Sequence, residues 1–166
     1  MIFTINKGSH FSNNLLYKVF NFLNFKSKIT CEVIFDHSCK YDLGTTDQLD
    51  INKLIGFSCG YHHNNSARFG WRYSQDKIEL FSYCYISGQR IYKKICNADI
   101  NQSIKMELVD SGNCYLYRVF VANRTYISKV DKNNSFSIGY KLWPYFGGNC
   151  KAPHTINISI NYNHDI

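Results

Sequence analysis

The segment Thr155–Asn163 alternates strictly, with Ile156, Ile158, Ile160 and Tyr162 set against Thr155, Asn157, Ser159 and Asn161. A period of two is the mark of a strand with one buried face. Lys28–Asp36 repeats the pattern, Ile29, Cys31, Val33 and Phe35 opposing Thr30, Glu32, Ile34 and Asp36. In Lys77–Ser87 the row Ile78, Leu80, Ser82, Cys84 and Ile86 alternates with Glu79, Phe81, Tyr83 and Tyr85. Both of those faces carry apolar surface, as expected of a central strand. Ser87-Gly88 then turns the chain into Gln89–Ile95, which predicts a hairpin over Lys77–Ile95.

Met1–Lys7, Lys53–Cys59, Ala67–Tyr73, Ser103–Val109, Cys114–Ala122, Arg124–Val130 and Phe136–Leu142 read as further strands. About ten strands, with turn signals every ~8–12 residues and no long helix, predict one all-β domain over residues 1–166, an antiparallel sandwich or barrel. The first and last strands are expected to pair and tie down both ends. Asn14–Phe25 is ambiguous: Leu15, Leu16, Val19, Phe20 and Leu23 fit a helical stripe, and a strand or irregular edge is preferred because the rest is β. Asp36–Asp50 reads as a long loop, of the kind that is functional or mobile.

Composition bears on partners. The chain carries 13 Tyr, 12 Phe and a net charge of +7. The basic residues are scattered and their longest run is Lys93-Lys94, so no block that tracks a phosphate backbone is present and nucleic acid is not expected as a partner. Seven Cys cannot all pair within the chain, and none forms a Cys-x-x-Cys motif. They read as small buried thiols of a reducing compartment. The N-terminus lacks the three-part pattern of a signal peptide, and no apolar run reaches the ~18 residues of a membrane span. A cytoplasmic or virion-associated chain is expected.

Polar and aromatic groups concentrate in Ile55–Tyr73. His62, His63, Asn64 and Asn65 fall at the tip between two strands, where side chains point to solvent. Three chemistries are open there: a metal site completed by His154 or Asp36, acid or base work by a histidine beside Tyr61 or Arg68, and hydrogen bonding to a polar ligand. The plain alternative is a solvated hairpin turn. On the following strand Arg68, Gly70 and Arg72 share one face, with the two guanidinium groups ~7 Å apart, and Phe69, Trp71 and Tyr73 share the core face. Such an arginine pair suits carboxylates or sulfates. The competing reading pairs both with Glu79, Glu107 or the loop acids.

The second concentration is Leu142–Asn149, Leu-Trp-Pro-Tyr-Phe-Gly-Gly-Asn. Pro144 interrupts a ladder and Gly147-Gly148 permits close backbone approach. Trp143, Tyr145 and Phe146 cannot all point inward, and an exposed ring beside Asn149 suits a sugar face. The alternative is a packed turn that locks the last strand. Common catalytic motifs are absent: no Gly-x-Ser-x-Gly elbow, P-loop or His-Glu-x-x-His occurs, and Glu32, Glu79 and Glu107 lie on different strands.

Asp50–Ser58, His62–Tyr73 and Tyr140–Asn149 with Ala152-Pro-His together resemble a group of small all-β proteins from Bacteroidetes and their tailed phages. That resemblance implies a concanavalin-like jelly roll. The expected function is non-catalytic binding of a glycan, or of a virion or cell-surface protein, as on a phage particle, with no cofactor. The expected ligand-binding residues are His62, His63, Asn64, Asn65, Arg68, Arg72, Trp143, Tyr145 and Asn149. The alternative is a polysaccharide lyase acting on a uronic-acid polymer, with His63 as base and Arg68, Arg72 and Tyr83 around it.

Overall fold

Lys28–Phe35 forms strand β2, and its buried residues are Ile29, Cys31, Val33 and Phe35, the apolar half of the alternation. The computed structural model describes residues 1–13, 28–133 and 139–162. The ambiguous segment Asn14–Phe25 lies outside the described residues. The other strands are β1 (Ile2–Ile5), β3 (Asn52–Ser58), β4 (Ser66–Ser74), β5 (Lys77–Ile86), β6 (Gln89–Ala98), β7 (Ser103–Asp110), β8 (Cys114–Val121), β9 (Arg124–Asp131), β10 (Lys141–Leu142) and β11 (Ile156–Tyr162).

The strands build two antiparallel sheets, one in the order β1-β11-β2-β7-β8-β9 and one in the order β10-β3-β4-β5-β6. The expected pairing of first and last strands is present, with Phe3 opposite Ile158. The core lies between the sheets. Trp71, Phe69, Leu80 and Ile78 come from one side, and Phe35, Tyr117, Met106 and Ile158 from the other. Phe69 meets Tyr117 edge-on with ring centres 5.3 Å apart, and Phe35 meets Trp71 at 5.1 Å. All seven cysteines are free thiols, and six of them are buried.

Two expectations change in detail. The Asp36–Asp50 stretch is tightened by two short 3-10 turns, His37–Cys39 and Thr46–Leu49, capped by the side chains of Asp36 and Thr45. Within the predicted strand Phe136–Leu142, described from Gly139 onward, only Lys141–Leu142 is a regular strand. Pro144 has no N–H to continue the ladder. Pairing to the edge of β3 resumes one residue later, where Lys53 and Tyr145 exchange backbone hydrogen bonds of 2.8 and 2.9 Å.

Candidate functional site

The outer face of the β10-β3-β4-β5-β6 sheet follows from the same alternation that fills the core. With Phe69 and Trp71 inward, Ser66, Arg68, Gly70 and Arg72 of β4 must face out, and Phe81, Tyr83 and Tyr85 of β5 stand beside them. The register sets Arg68 between Gly56 and Tyr83. Gly56 is required there, because a Cβ at that position would lie 2.0 Å from the Ala67 carbonyl oxygen.

Two flanking segments raise walls on this face. One is the turn after β3 that carries His62 and His63. The other is the arm Tyr140–Asn149. Between them runs a cleft of about 810 Å³, with Arg68 and Tyr83 on its floor and Phe11, Trp143 and Tyr145 among its lining. Gly147 adopts φ +73° and sits with Cys150 O where a Cβ would be, so the arm turns only with glycine at that place. Buried Asn52 accepts from Gly147 N–H at 2.5 Å and donates to Tyr41 Oη at 2.8 Å, fixing the base of the arm to β3.

Arg68 explains how the floor and the arm join. The β3–β4 register shifts between Lys53 and Gly56, a bulge that locally disrupts the ladder. The Arg68 Nη2 donates to Leu54 O within that bulge, at 3.3 Å, and to Trp143 O where Pro144 has interrupted the arm. Its Nε is buried with no hydrogen-bond partner. Burial holds this guanidinium down to about 10, still charged at neutral pH.

Lys53 lies alongside. Its Nζ donates to Gly147 O at 2.7 Å and stands 5.4 Å from the ring centres of both Tyr83 and Tyr145. Burial, with the Arg68 charge adding to it, lowers this ammonium to about 8. Arg90 and Lys141 also line the cleft, and no Asp or Glu does so among the described residues. Burial likewise pushes the Tyr83 phenol up to about 12, so it stays neutral.

The histidines divide. His62 folds back from the tip toward the arm, with Nδ1 2.7 Å from Tyr140 Oη. Burial, then the neighbouring charges of His63 and Arg68, lower its pKa and favour the neutral ring. His63 packs edge-on against Tyr85 with ring centres 5.2 Å apart. The expectation that the tip side chains all point to solvent is therefore corrected for His62.

Of the residues predicted from sequence, His62, His63, Arg68, Trp143, Tyr145 and Asn149 line the cleft. Asn64 and Asn65 do not. Gly88 N–H donates to Asn64 O at 3.0 Å, and Asn65 Oδ1 accepts from Ser87 N–H at 3.0 Å, so both brace the β5–β6 turn. Arg72 is also outside, paired with Glu79 at 2.5 Å, donating to Leu49 O and stacked on Phe81. The carboxylate that β5 presents directly opposite draws it away from Arg68. The gap above Gly70 is filled by Ile51, whose Cγ2 lies 2.5 Å from the place of a Cβ.

Trp143 lines the cleft and also packs on the core, stacked on Phe3 at 5.9 Å and edge-on to Tyr162 at 6.4 Å. Tyr145 is clamped between His10 at 5.0 Å and Phe11 at 5.1 Å. The third-ligand candidates for a metal are engaged elsewhere. His154 Nε2 donates to Ser38 O at 2.8 Å, and Asp36 Oδ1 accepts from Ser38 N–H at 2.8 Å. No three His, Cys, Asp or Glu side chains gather as a metal set among the described residues.

Lys53, Arg90 and Tyr140 were not foreseen. Lys53 and Arg90 read as ordinary strand cations, and Tyr140 pairs with a histidine 78 residues away, for which no local pattern exists.

Solved structures that superpose on the chain are distant from it in sequence. An alginate lyase from Klebsiella pneumoniae superposes with a TM-score of 0.59 at 11% identity, over 84% of this chain and 60% of that one. The fold is a jelly-roll β-sandwich. A functionally unknown protein from Saccharomyces cerevisiae gives 0.51 at 12% identity, over 84% of this chain and 68% of that one. Chicken galectin 2 gives 0.44 at 10% identity, over 84% and 96%. The chain thus spans about 60% of the length of the lyase it matches. No protein-family model matches it, and no curated protein does. Among the described residues no helix is long and apolar enough to cross a membrane.

Proposed function

We propose that the cleft binds an acidic carbohydrate, with a uronate carboxylate or sulfate seated between Arg68 and Lys53. The observation that carries this reading is a set of cations that form no ion pair among the described residues, the Asp50 charge acting on Lys53 only from outside ion-pair distance. Arg72, Lys94, Arg118 and Lys132 each meet a carboxylate. Lys53, Arg68 and Arg90 form no ion pair with any described carboxylate, although two of them are desolvated enough to be lowered. A partly buried cation held only by carbonyl oxygens keeps its charge uncompensated until an anion arrives. The tyrosines beside these cations offer ring faces and hydroxyls to a sugar.

On the resemblance to phage-associated proteins, the glycan proposed is a bacterial surface polysaccharide met by a virion. The test is calorimetry against uronate, sulfated and neutral polysaccharides at matched ionic strength. Binding of acidic polymers that is lost in Lys53→Met supports the reading. Equal binding of neutral polymers overturns it.

The His62–Tyr140 contact favours a second reading, β-elimination on a uronate. Neutral His62 takes the proton from the carbon next to the carboxylate, and Arg68 and Lys53 stabilise the charge that develops. The Tyr140 hydroxyl protonates the departing glycosidic oxygen as the carbon–oxygen bond breaks and a carbon–carbon double bond forms. The conjugated product absorbs in the ultraviolet. Its absence over a panel of uronate polymers that do bind leaves the protein a binder.

A further inference from the structure

We propose that the ligand is a chain and not a single sugar, lying across the strands and ending on an outer subsite made by Tyr92 and Arg90. This inference rests on the acidic-glycan reading of the cleft and adds its length and direction.

The β-register defines the path. Gly56, Arg68, Tyr83 and Tyr92 stand in one row across β3, β4, β5 and β6. The next row on the same face runs Ser58, Ser66, Tyr85 and Arg90. Two rows therefore lead from the arm straight to the edge strand. Both are free of carboxylates, whereas the β5 acid Glu79 lies further along and is held by Arg72 and Lys94. Burial and the two cations act on Glu79 in opposite senses, and the cations win, keeping it ionised.

The two ends of the path differ. At the β3 end the arm closes it, through Tyr145 and the Arg68 contact to Trp143 O. At the other end β6 is the last strand of its sheet among the described residues, and the path runs out over it. Tyr92 is 53% exposed there, and the Arg90 guanidinium lies 5.8 Å from its ring centre. Tyr92 takes no part in the core. Beside an arginine that pairs with no described carboxylate, and in line with Tyr83 and Arg68, it offers a sugar face and an anion contact together.

The spacing suits a polymer. Strands lie ~4.8 Å apart, close to the advance per residue of an extended 1,4-linked pyranose chain. Crossing from β3 to β6 thus takes about four sugars, one per strand. A uronate at each would bring its carboxylate to Lys53 or Arg68 at one end and to Arg90 at the other.

The test uses size-fractionated oligomers from alginate and from chondroitin sulfate, a disaccharide, tetrasaccharide and hexasaccharide of each, measured by calorimetry on the whole protein. Affinity is expected to climb from disaccharide to tetrasaccharide and then level off. Tyr92→Ala should weaken the tetrasaccharide roughly five- to tenfold and leave the disaccharide unchanged, and Tyr92→Phe should restore most of the loss. Equal affinity for disaccharide and tetrasaccharide, or equal loss for both in Tyr92→Ala, overturns the outer subsite and leaves the acidic-glycan reading standing. Failure of every oligomer to bind, or tighter binding of a DNA oligomer of matched charge, overturns both.

Discussion

His62 Nδ1 lies 2.7 Å from Tyr140 Oη and so joins the turn after β3 to the arm that forms the opposite wall of the cleft. Burial, and next the charges of His63 and Arg68, disfavour the imidazolium. His62 is therefore expected to titrate below the ordinary histidine value of about 6.5. The unfolded chain binds this proton more readily, so the group weakens folding as pH falls through the ordinary histidine range and costs nothing above it. Proton NMR of the ring should show the low midpoint, and His63→Gln should raise it. A midpoint at or above the ordinary value contradicts the electrostatic account.

Arg68→Met should loosen the arm as well as the proposed ligand site. Removing the guanidinium leaves Leu54 O and Trp143 O without this donor. The expected cost is about 1–3 kcal/mol in denaturant unfolding. Hydrogen exchange should quicken at Lys53 and Tyr145, whose backbone pair holds the arm to β3. Unchanged exchange there would mean that Arg68 does not position the arm.

The strands were legible because burial of one face imposes a period of two, which Lys28–Asp36, Lys77–Ser87 and Thr155–Asn163 display plainly. The core row Phe69, Trp71 and Tyr73 and the outer row Arg68, Gly70 and Arg72 followed from the same rule. The difference between Arg68 and Arg72 did not. It depends on what the neighbouring strands present opposite each: Glu79 beside Arg72, Tyr83 beside Arg68. Register between strands is a tertiary property, and no spacing within β4 encodes it. Trp143 shows the same limit: its sequence neighbours promise an exposed ring, while Phe3 of the first strand, brought alongside by the fold, stacks on it.

Lys53 should make the proposed acidic-ligand binding depend on pH in a range where surface lysines do not titrate. Its folded value of about 8 stands below the ordinary lysine value of 10.5. The unfolded chain binds more protons between those two values, so stability rises with pH across that window. Ligand binding has the opposite sense, since an anion favours the ammonium. Calorimetry near pH 8 should therefore register proton uptake on binding, as an enthalpy that varies with the ionisation heat of the buffer. Affinity should fall between about pH 7 and pH 9, and Lys53→Arg should flatten that fall, because arginine keeps its charge. A buffer-independent enthalpy would show that Lys53 is already fully charged.

Lys132 and Asp110 form the most enclosed ion pair among the described residues and lie away from the cleft. Nζ and Oδ2 are 2.8 Å apart, the lysine side chain is 1% exposed and the aspartate 10%. The ammonium also stands 4.6 Å from the Tyr115 ring centre. Inside the protein each charge is tolerable only because the other is present. Asp110→Asn leaves the lysine buried without a carboxylate, and the expected loss is about 3–5 kcal/mol. Removing both charges together, as Asp110→Asn with Lys132→Met, should recover most of that loss, because the penalty belongs to the unpaired charge and not to the absence of the pair. Urea unfolding of the two single variants and the double variant measures the coupling. A loss below about 1 kcal/mol in Asp110→Asn, the scale of a solvent-exposed pair, would show that water reaches the lysine and that the pair is not enclosed.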